Sequence, residues 1–245
     1  VGEMALLTLD VLVPNFFATS PVVPEFQVRN AITRTLDRTN FAEQKDGTTL
    51  AGIRYRFGIY PQEIGRYEVG DTTIKVSYAD VPPNRRDATL TIPPMHVDAA
   101  VPDAASALKP FIASSTLSVM QSVRQSSPDL KVGDSVVRTI VVTAQDTPAM
   151  LLPPVNFAVA DGLAVYPDQP VLSDQADTRS DALTGTRTDQ ATYMLQKPGD
   201  FVLPAIDIAW WRFGGNAIQH ARADPVTLHV ADNPALRPAP QAKEA

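Results

Sequence analysis

Gly65-Arg66-Tyr67-Glu68-Val69, followed by Ile74-Lys75-Val76-Ser77-Tyr78, returns later in the chain as Gly199-Asp200-Phe201-Val202-Leu203 followed by Ile206-Asp207-Ile208-Ala209-Trp210. Each copy reads glycine, any residue, aromatic, any residue, aliphatic, then an alternating run that ends on an aromatic. Each also has a proline upstream, Pro61 or Pro198. Alternation with period two sets the apolar side chains on one face of a β-strand. One such unit is unremarkable by chance; two at corresponding places indicate an internal repeat.

The same alternation extends outward from both copies. Leu7, Leu9, Val11 and Val13 share one face near the start, Ile53-Arg54-Tyr55-Arg56-Phe57-Gly58-Ile59 alternates, and Leu90 and Ile92 lie in a Thr-rich run. In the second half, Leu117, Val119 and Val123 form one face, and Val136, Ile140 and Val142 another. Phe201 to Trp210 reads as two strands or one strand bent at Pro204. Gly214-Gly215-Asn216 suits a hairpin turn, because Gly and Asn tolerate positive φ. A turn that leads an aromatic into a core strand resembles the corner of immunoglobulin-like sandwiches. The expectation is therefore an all-β protein of two tandem immunoglobulin-like β-sandwich domains, residues 1–98 and 115–232. A short linker, 99–114, joins them and can form a short helix at Asp103 to Lys109. Residues 233–245, rich in Pro and Ala, read as a flexible tail.

Composition fits this reading. A chain of 245 residues holds one or two domains, and 44% hydrophobic residues suffice for real cores. The 22 prolines disfavour long helices, since proline removes a donor and clashes inside them. The net charge of −6 and the dispersed basic residues exclude the concentrated cationic face that nucleic acid needs. No Cys is present, which excludes disulfides, thiol nucleophiles and zinc–thiolate sites. No apolar run reaches the ~18–20 residues that span a bilayer. The start at Val1 matches a removed signal peptide or a fragment.

No constellation defines a reaction, so no enzyme, catalytic residue, metal site or cofactor is expected. His96, His220 and His229 lack metal-ligand spacing, and there is no G-x-S-x-G elbow or phosphate-binding glycine loop. Sequence alone leaves a Ser–His–Asp set from distant positions open. Asp174, Asp177 and Asp181 form an acidic stretch, but Arg179 interrupts it and no calcium-binding loop pattern appears. Trp210 and Trp211 are adjacent, so on a strand they face opposite sides. One enters the core. The other, taken as Trp211, is a candidate binding residue on the outer face unless a loop covers it.

Further motifs extend the comparison. Lys131-Val132-Gly133-Asp134-Ser135-Val136-Val137-Arg138-Thr139-Ile140 leads to Met150-Leu151-Leu152-Pro153-Pro154, then Val165-Tyr166-Pro167-Asp168-Gln169-Pro170, then the Gly199 and Trp210-Trp211 segments. In the first half, Phe16-Phe17, Pro21 and Pro24 precede Arg54-Tyr55 and Ile59-Tyr60-Pro61-Gln62-Glu63-Ile64-Gly65-Arg66-Tyr67. This order, over roughly Leu6 to Val230, resembles the BatD-like oxygen-tolerance (aerotolerance) family of bacterial envelope proteins. The resemblance implies a periplasmic ectodomain of an inner-membrane-anchored protein whose C-terminal helix lies outside this sequence. It implies a protein-interaction scaffold or adaptor linked to oxidative stress, with von Willebrand A domain membrane proteins as partners. Such domains often hold a metal with an open position. The polar segment Ser173 to Gly185, with Asp174, Asp177 and Asp181, is the expected loop to offer a carboxylate there. The alternative is a carbohydrate-binding module of the cell envelope that uses an exposed tryptophan.

Overall fold

The computed structural model describes all residues except Pro24, Glu25, Asp71, Pro82, Val159, Thr178, Arg179, Asn216 and 237–245. Strands take up 61% of the chain. Among the described residues, helix is confined to 3-10 turns at Asp103–Ala105, Ala149–Leu151 and Pro234–Leu236. The all-β expectation is met. The chain divides into two compact units, Val1–Ser106 with Ala176–Ala182, and Ala107–Gln175 with Leu183–Ala245. The expected 99–114 linker contains the first 3-10 turn and a two-residue strand, Ala113–Ser114. Of the expected tail, Asn233 is anchored, its side-chain amide donating to the Val132 carbonyl at 2.9 Å. Arg179, the Asn216 end of the glycine turn and tail residues 237–245 lie outside the described residues.

The first unit contains β1 (Ala5–Pro14), β2 (Phe17–Thr19), β3 (Ala31–Lys45), β4 (Thr48–Pro61), β5 (Gly65–Val69), β6 (Thr72–Ala79), β7 (Arg85–Ile92) and β8 (Met95–Ala99). They pair as β1-β4-β3, β2-β6-β7 and β5-β8, all antiparallel. The alternating residues meet in register: Leu7 faces Phe57, Leu9 faces Tyr55 and Val11 faces Ile53. Val11, Ile53, Phe57, Ile59, Ile74 and Val76 form a core with Tyr67. Burying each such side chain contributes about 2 kcal/mol. Asp10 lies directly across from Arg54 and accepts two hydrogen bonds from it, both 2.7 Å.

The second unit contains β9 (Ala113–Ser114), β10 (Leu117–Gln125), β11 (Ser135–Gln145), β12 (Leu163–Pro167), β13 (Val171–Ala176), β14 (Leu183–Leu195), β15 (Gly199–Leu203), β16 (Ile206–Arg212), β17 (Ile218–Ala223) and β18 (Val226–Val230). One sheet runs β10-β11-β14-β12, with β13 also on β14; the other pairings are β17-β16-β9 and β15-β18. The step from β15 to β16 at Pro204-Ala205 is a change of partner, not a bend within one strand.

The internal repeat is visible in the backbone. Gly65 and Gly199 have φ of 154° and 138°, where side-chain-bearing residues are strained. Each opens a five-residue strand paired antiparallel with the last strand of its unit, β5 with β8 and β15 with β18. The aromatics differ. Tyr67 is buried, and its hydroxyl donates to the Glu63 carbonyl at 2.8 Å and accepts from the Glu63 N–H at 3.0 Å. Phe201, without a hydroxyl, is half-buried, packed against the core of the second unit and close to Gly162.

Two features of the second core are governed by packing and charge. At Gly185 on β14, a Cβ would stand 2.2 Å from the Thr147 carbonyl oxygen and 2.6 Å from the Ala149 nitrogen. The strand can lie against that backbone only with glycine. Arg138 points into the core from β11, alternating with Val136, Ile140 and Val142, and is 1% exposed. Its guanidinium donates to the Gln121 side-chain oxygen at 3.2 and 2.9 Å. Among the described residues no carboxylate pairs with it. Burial lowers its pKa from the ordinary arginine value, with the neighbouring Tyr193 opposing.

Gly185→Ala is expected to destabilise the second unit by about 3 kcal/mol, read from its urea midpoint. Arg138→Met is expected to leave stability unchanged or raise it by up to about 4 kcal/mol. Gln121→Ala, which strips a buried cation of its acceptor, is expected to lower stability by about 2 kcal/mol in the same assay. Arg54 holds the Asp10 carboxyl below the ordinary range, chiefly by hydrogen bonding. A depressed folded-state pKa gives stability that is present above the unfolded value of about 4 and lost as pH falls through the folded one. Asp10→Asn is therefore expected to flatten the stability–pH curve below about pH 4, a small effect that added salt weakens.

Candidate functional site

The strand β16 is paired along one side and half open along the other. On one side it pairs with β17 along its length, from Ile206 opposite Ala223 to Trp211 opposite Ile218. On the other it meets only β9, in parallel, at Trp211 and Arg212. The Trp211 N–H donates to the Ile112 carbonyl at 2.7 Å, and the Phe213 N–H to the Ser114 carbonyl at 2.9 Å. Backbone groups alternate sides along a strand. The N–H and C=O of Asp207 and Ala209 therefore point the same way as those of Trp211, past the start of β9. Among the described residues no backbone group pairs with them.

A groove of about 470 Å³ lies along this edge, lined by Ala107–Pro110, Ile112, Pro153–Asn156 and Ala205–Ala209. All of it belongs to the second unit. Ile208 is buried in the core, whereas Ile206 is half-buried and Asp207 exposed. The Asp207 carboxylate takes hydrogen bonds from His220 Nδ1 at 2.8 Å and Arg222 Nε at 3.1 Å. The His220 bond, followed by the charge of Arg222, holds its pKa below the ordinary carboxylate range against desolvation. An edge of unpaired donors and acceptors over an apolar floor is chemically suited to accept an extended chain.

The residues singled out from sequence are not assembled into one site. Trp211 is 6% exposed and Trp210 7%, so the outer-face tryptophan expected as a binding residue is corrected: both rings are buried. The exposed aromatic rings among the described large hydrophobics are Phe16, in the first unit, and Tyr166, in the second. The expected long loop Ser173 to Gly185 is also corrected, since β13 and β14 occupy most of it. β13 is an exposed edge strand, and the connection between the two belongs with the first unit. Asp174 accepts from the Ala149 N–H at 2.7 Å, Asp177 from the Ser180 hydroxyl at 2.7 Å, and Asp181 is ion-paired with Arg56. The three aspartates thus have separate partners. Among the described residues no group of three or more acidic or histidine side chains is placed to hold a metal.

Each histidine stands beside an aspartate: His96 with Asp98 at 3.8 Å, His220 with Asp207 at 2.8 Å and His229 with Asp200 at 2.7 Å. All three pairs are exposed, and among the described residues no serine hydroxyl is hydrogen-bonded to these rings. No helix among the described residues is long and apolar enough to cross a membrane. No family model, curated protein or solved structure matches the chain.

The groove was not found from sequence. β16 itself was readable, but its openness results from the brevity of β9 and from the walls beside it. The signal available was proline. Pro110, Pro153 and Pro154 lack the N–H a flanking strand would need.

Proposed function

We propose that this chain is a non-enzymatic, extracytoplasmic scaffold of two immunoglobulin-like sandwiches that binds a protein partner through the open edge of β16. The observation that carries the reading is the unpaired row of backbone groups at Asp207 and Ala209 above the groove. An exposed edge of this kind is a template for a further strand. The immunoglobulin-like assignment is supported by the tyrosine corner at Tyr67 and by the matching glycines that open β5 and β15. The resemblance to the BatD-like oxygen-tolerance family supports a place in the periplasm, as the ectodomain of an inner-membrane-anchored protein. It also supports von Willebrand A domain membrane proteins as partners and a role in oxidative stress.

Titration of this chain with a purified von Willebrand A domain from such a membrane protein, followed by calorimetry, tests the reading. Saturable binding at about micromolar concentration is expected. Absence of heat up to about 1 mM would remove the A domain as partner.

A further inference from the structure

We propose that the groove beside β16 takes an extended, acidic peptide segment as an added strand, an inference that rests on the scaffold reading above and names its ligand. Asp207 and Ala209 present two N–H and two C=O groups in strand register with no pairing partner among the described residues. An extended backbone satisfies such a row in register at strand spacing. Pro110, Pro153 and Pro154 in the walls have no N–H to give to the two carbonyls.

At about 3.3 Å per residue, the unpaired stretch matches about four residues of extended chain, and the groove volume of about 470 Å³ is within the range of peptide and ligand clefts. Leu108, Ile112, Val155 and Ile206 give it an apolar floor. Side chains alternate across an added strand, so every second residue of the ligand is apolar.

Charge then selects among such strands. Lys109 is exposed on the rim and has no ion-pair partner among the described residues. The acidic residue of the rim, Asp207, is already held by His220 and Arg222. An incoming carboxylate therefore meets an uncompensated cation, and an incoming ammonium meets none of the opposite sign. The free edge of β3 in the first unit is built differently. It carries Arg34, Asp37, Arg38, Glu43 and Lys45 and is bulged between Thr35 and Asp37, features that block strand addition.

The test uses the whole chain and a labelled peptide of alternating valine and threonine flanked by glutamates, read by fluorescence anisotropy. Saturable binding is expected below about 1 mM. Lys109→Glu is expected to weaken it about tenfold and to favour the lysine-flanked version of the peptide instead. Ala209→Pro removes one groove-facing N–H and is expected to abolish binding. If that variant loses its folded thermal transition, the backbone amide resonances of the unaltered chain decide. Asp207 and Ala209 are expected to shift and gain exchange protection with peptide. Unmoved amides at these two positions, or equal affinity of Lys109→Glu for both peptides, would overturn the proposal. Peptide binding without A-domain binding would reject the partner while keeping the groove; A-domain binding with the two amides unmoved would do the reverse.

Discussion

The second unit is organised by a knot of buried hydroxyls at the entrance to β9. Thr147, 1% exposed, donates to the Ala113 carbonyl at 2.8 Å. Ser114, fully buried, has its hydroxyl 2.8 Å from the Thr116 carbonyl and 2.7 Å from that of Gln145. Ser115 reaches the Asp146 carboxylate from the same segment. Buried backbone carbonyls left without donors would cost about 1–3 kcal/mol each. These side chains supply donors from both sides of the gap between β9 and the end of β11. The knot holds Ala113 and Ser114 in place, and the last backbone contact of this segment with β16 is the Ile112 carbonyl, which accepts from the Trp211 N–H; the groove opens before it.

Gly185 belongs to the same arrangement. It allows β14 to lie against the backbone of Thr147 and Ala149. The Asp174 carboxylate caps the Ala149 N–H from the adjoining edge strand. One small residue, three hydroxyls and a carboxylate thus align segments far apart in sequence. Apolar burial packs the sheets of this unit together, but these polar contacts determine which backbone groups are used up and which remain at the edge.

Legibility from sequence followed the chemistry of each strand's inner face. β4 and β11 could be read because Ile53, Tyr55, Phe57 and Ile59, or Val136, Ile140 and Val142, recur at period two and are buried together. β14 could not. Its inner face runs from Leu183 to Ala191, Tyr193 and Leu195, but Gly185, Arg187 and Asp189 interrupt the apolar rhythm between them, and Asp189 is tolerated there because Arg187 binds it at 2.8 and 2.9 Å. β13 is exposed throughout and reads as loop. β3 carries charge on its outer part and a bulge that breaks the count. The site was harder still, because an unpaired edge is defined by a neighbour that ends early, and strand periodicity carries no record of where a neighbour ends. Trp211 shows the converse: an aromatic that alternation places on the outer face is buried nonetheless.

The long β3–β4 hairpin bears on how the first unit assembles. Its turn is Asp46-Gly47, both with positive φ, 50° and 77°, the geometry whose twist matches the flanking strands. Lys45 pairs with Thr48, and the ladder continues in order to Ala31 opposite Pro61. Each added pair lengthens an existing ladder, so the entropy of loop closure is met once, for a loop of about two residues. β1, by contrast, reaches β4 across the whole intervening hairpin, Ala5 meeting Ile59. The first unit therefore combines a low-contact-order ribbon with a strand that has no ladder until that ribbon exists, and topology alone orders the two events.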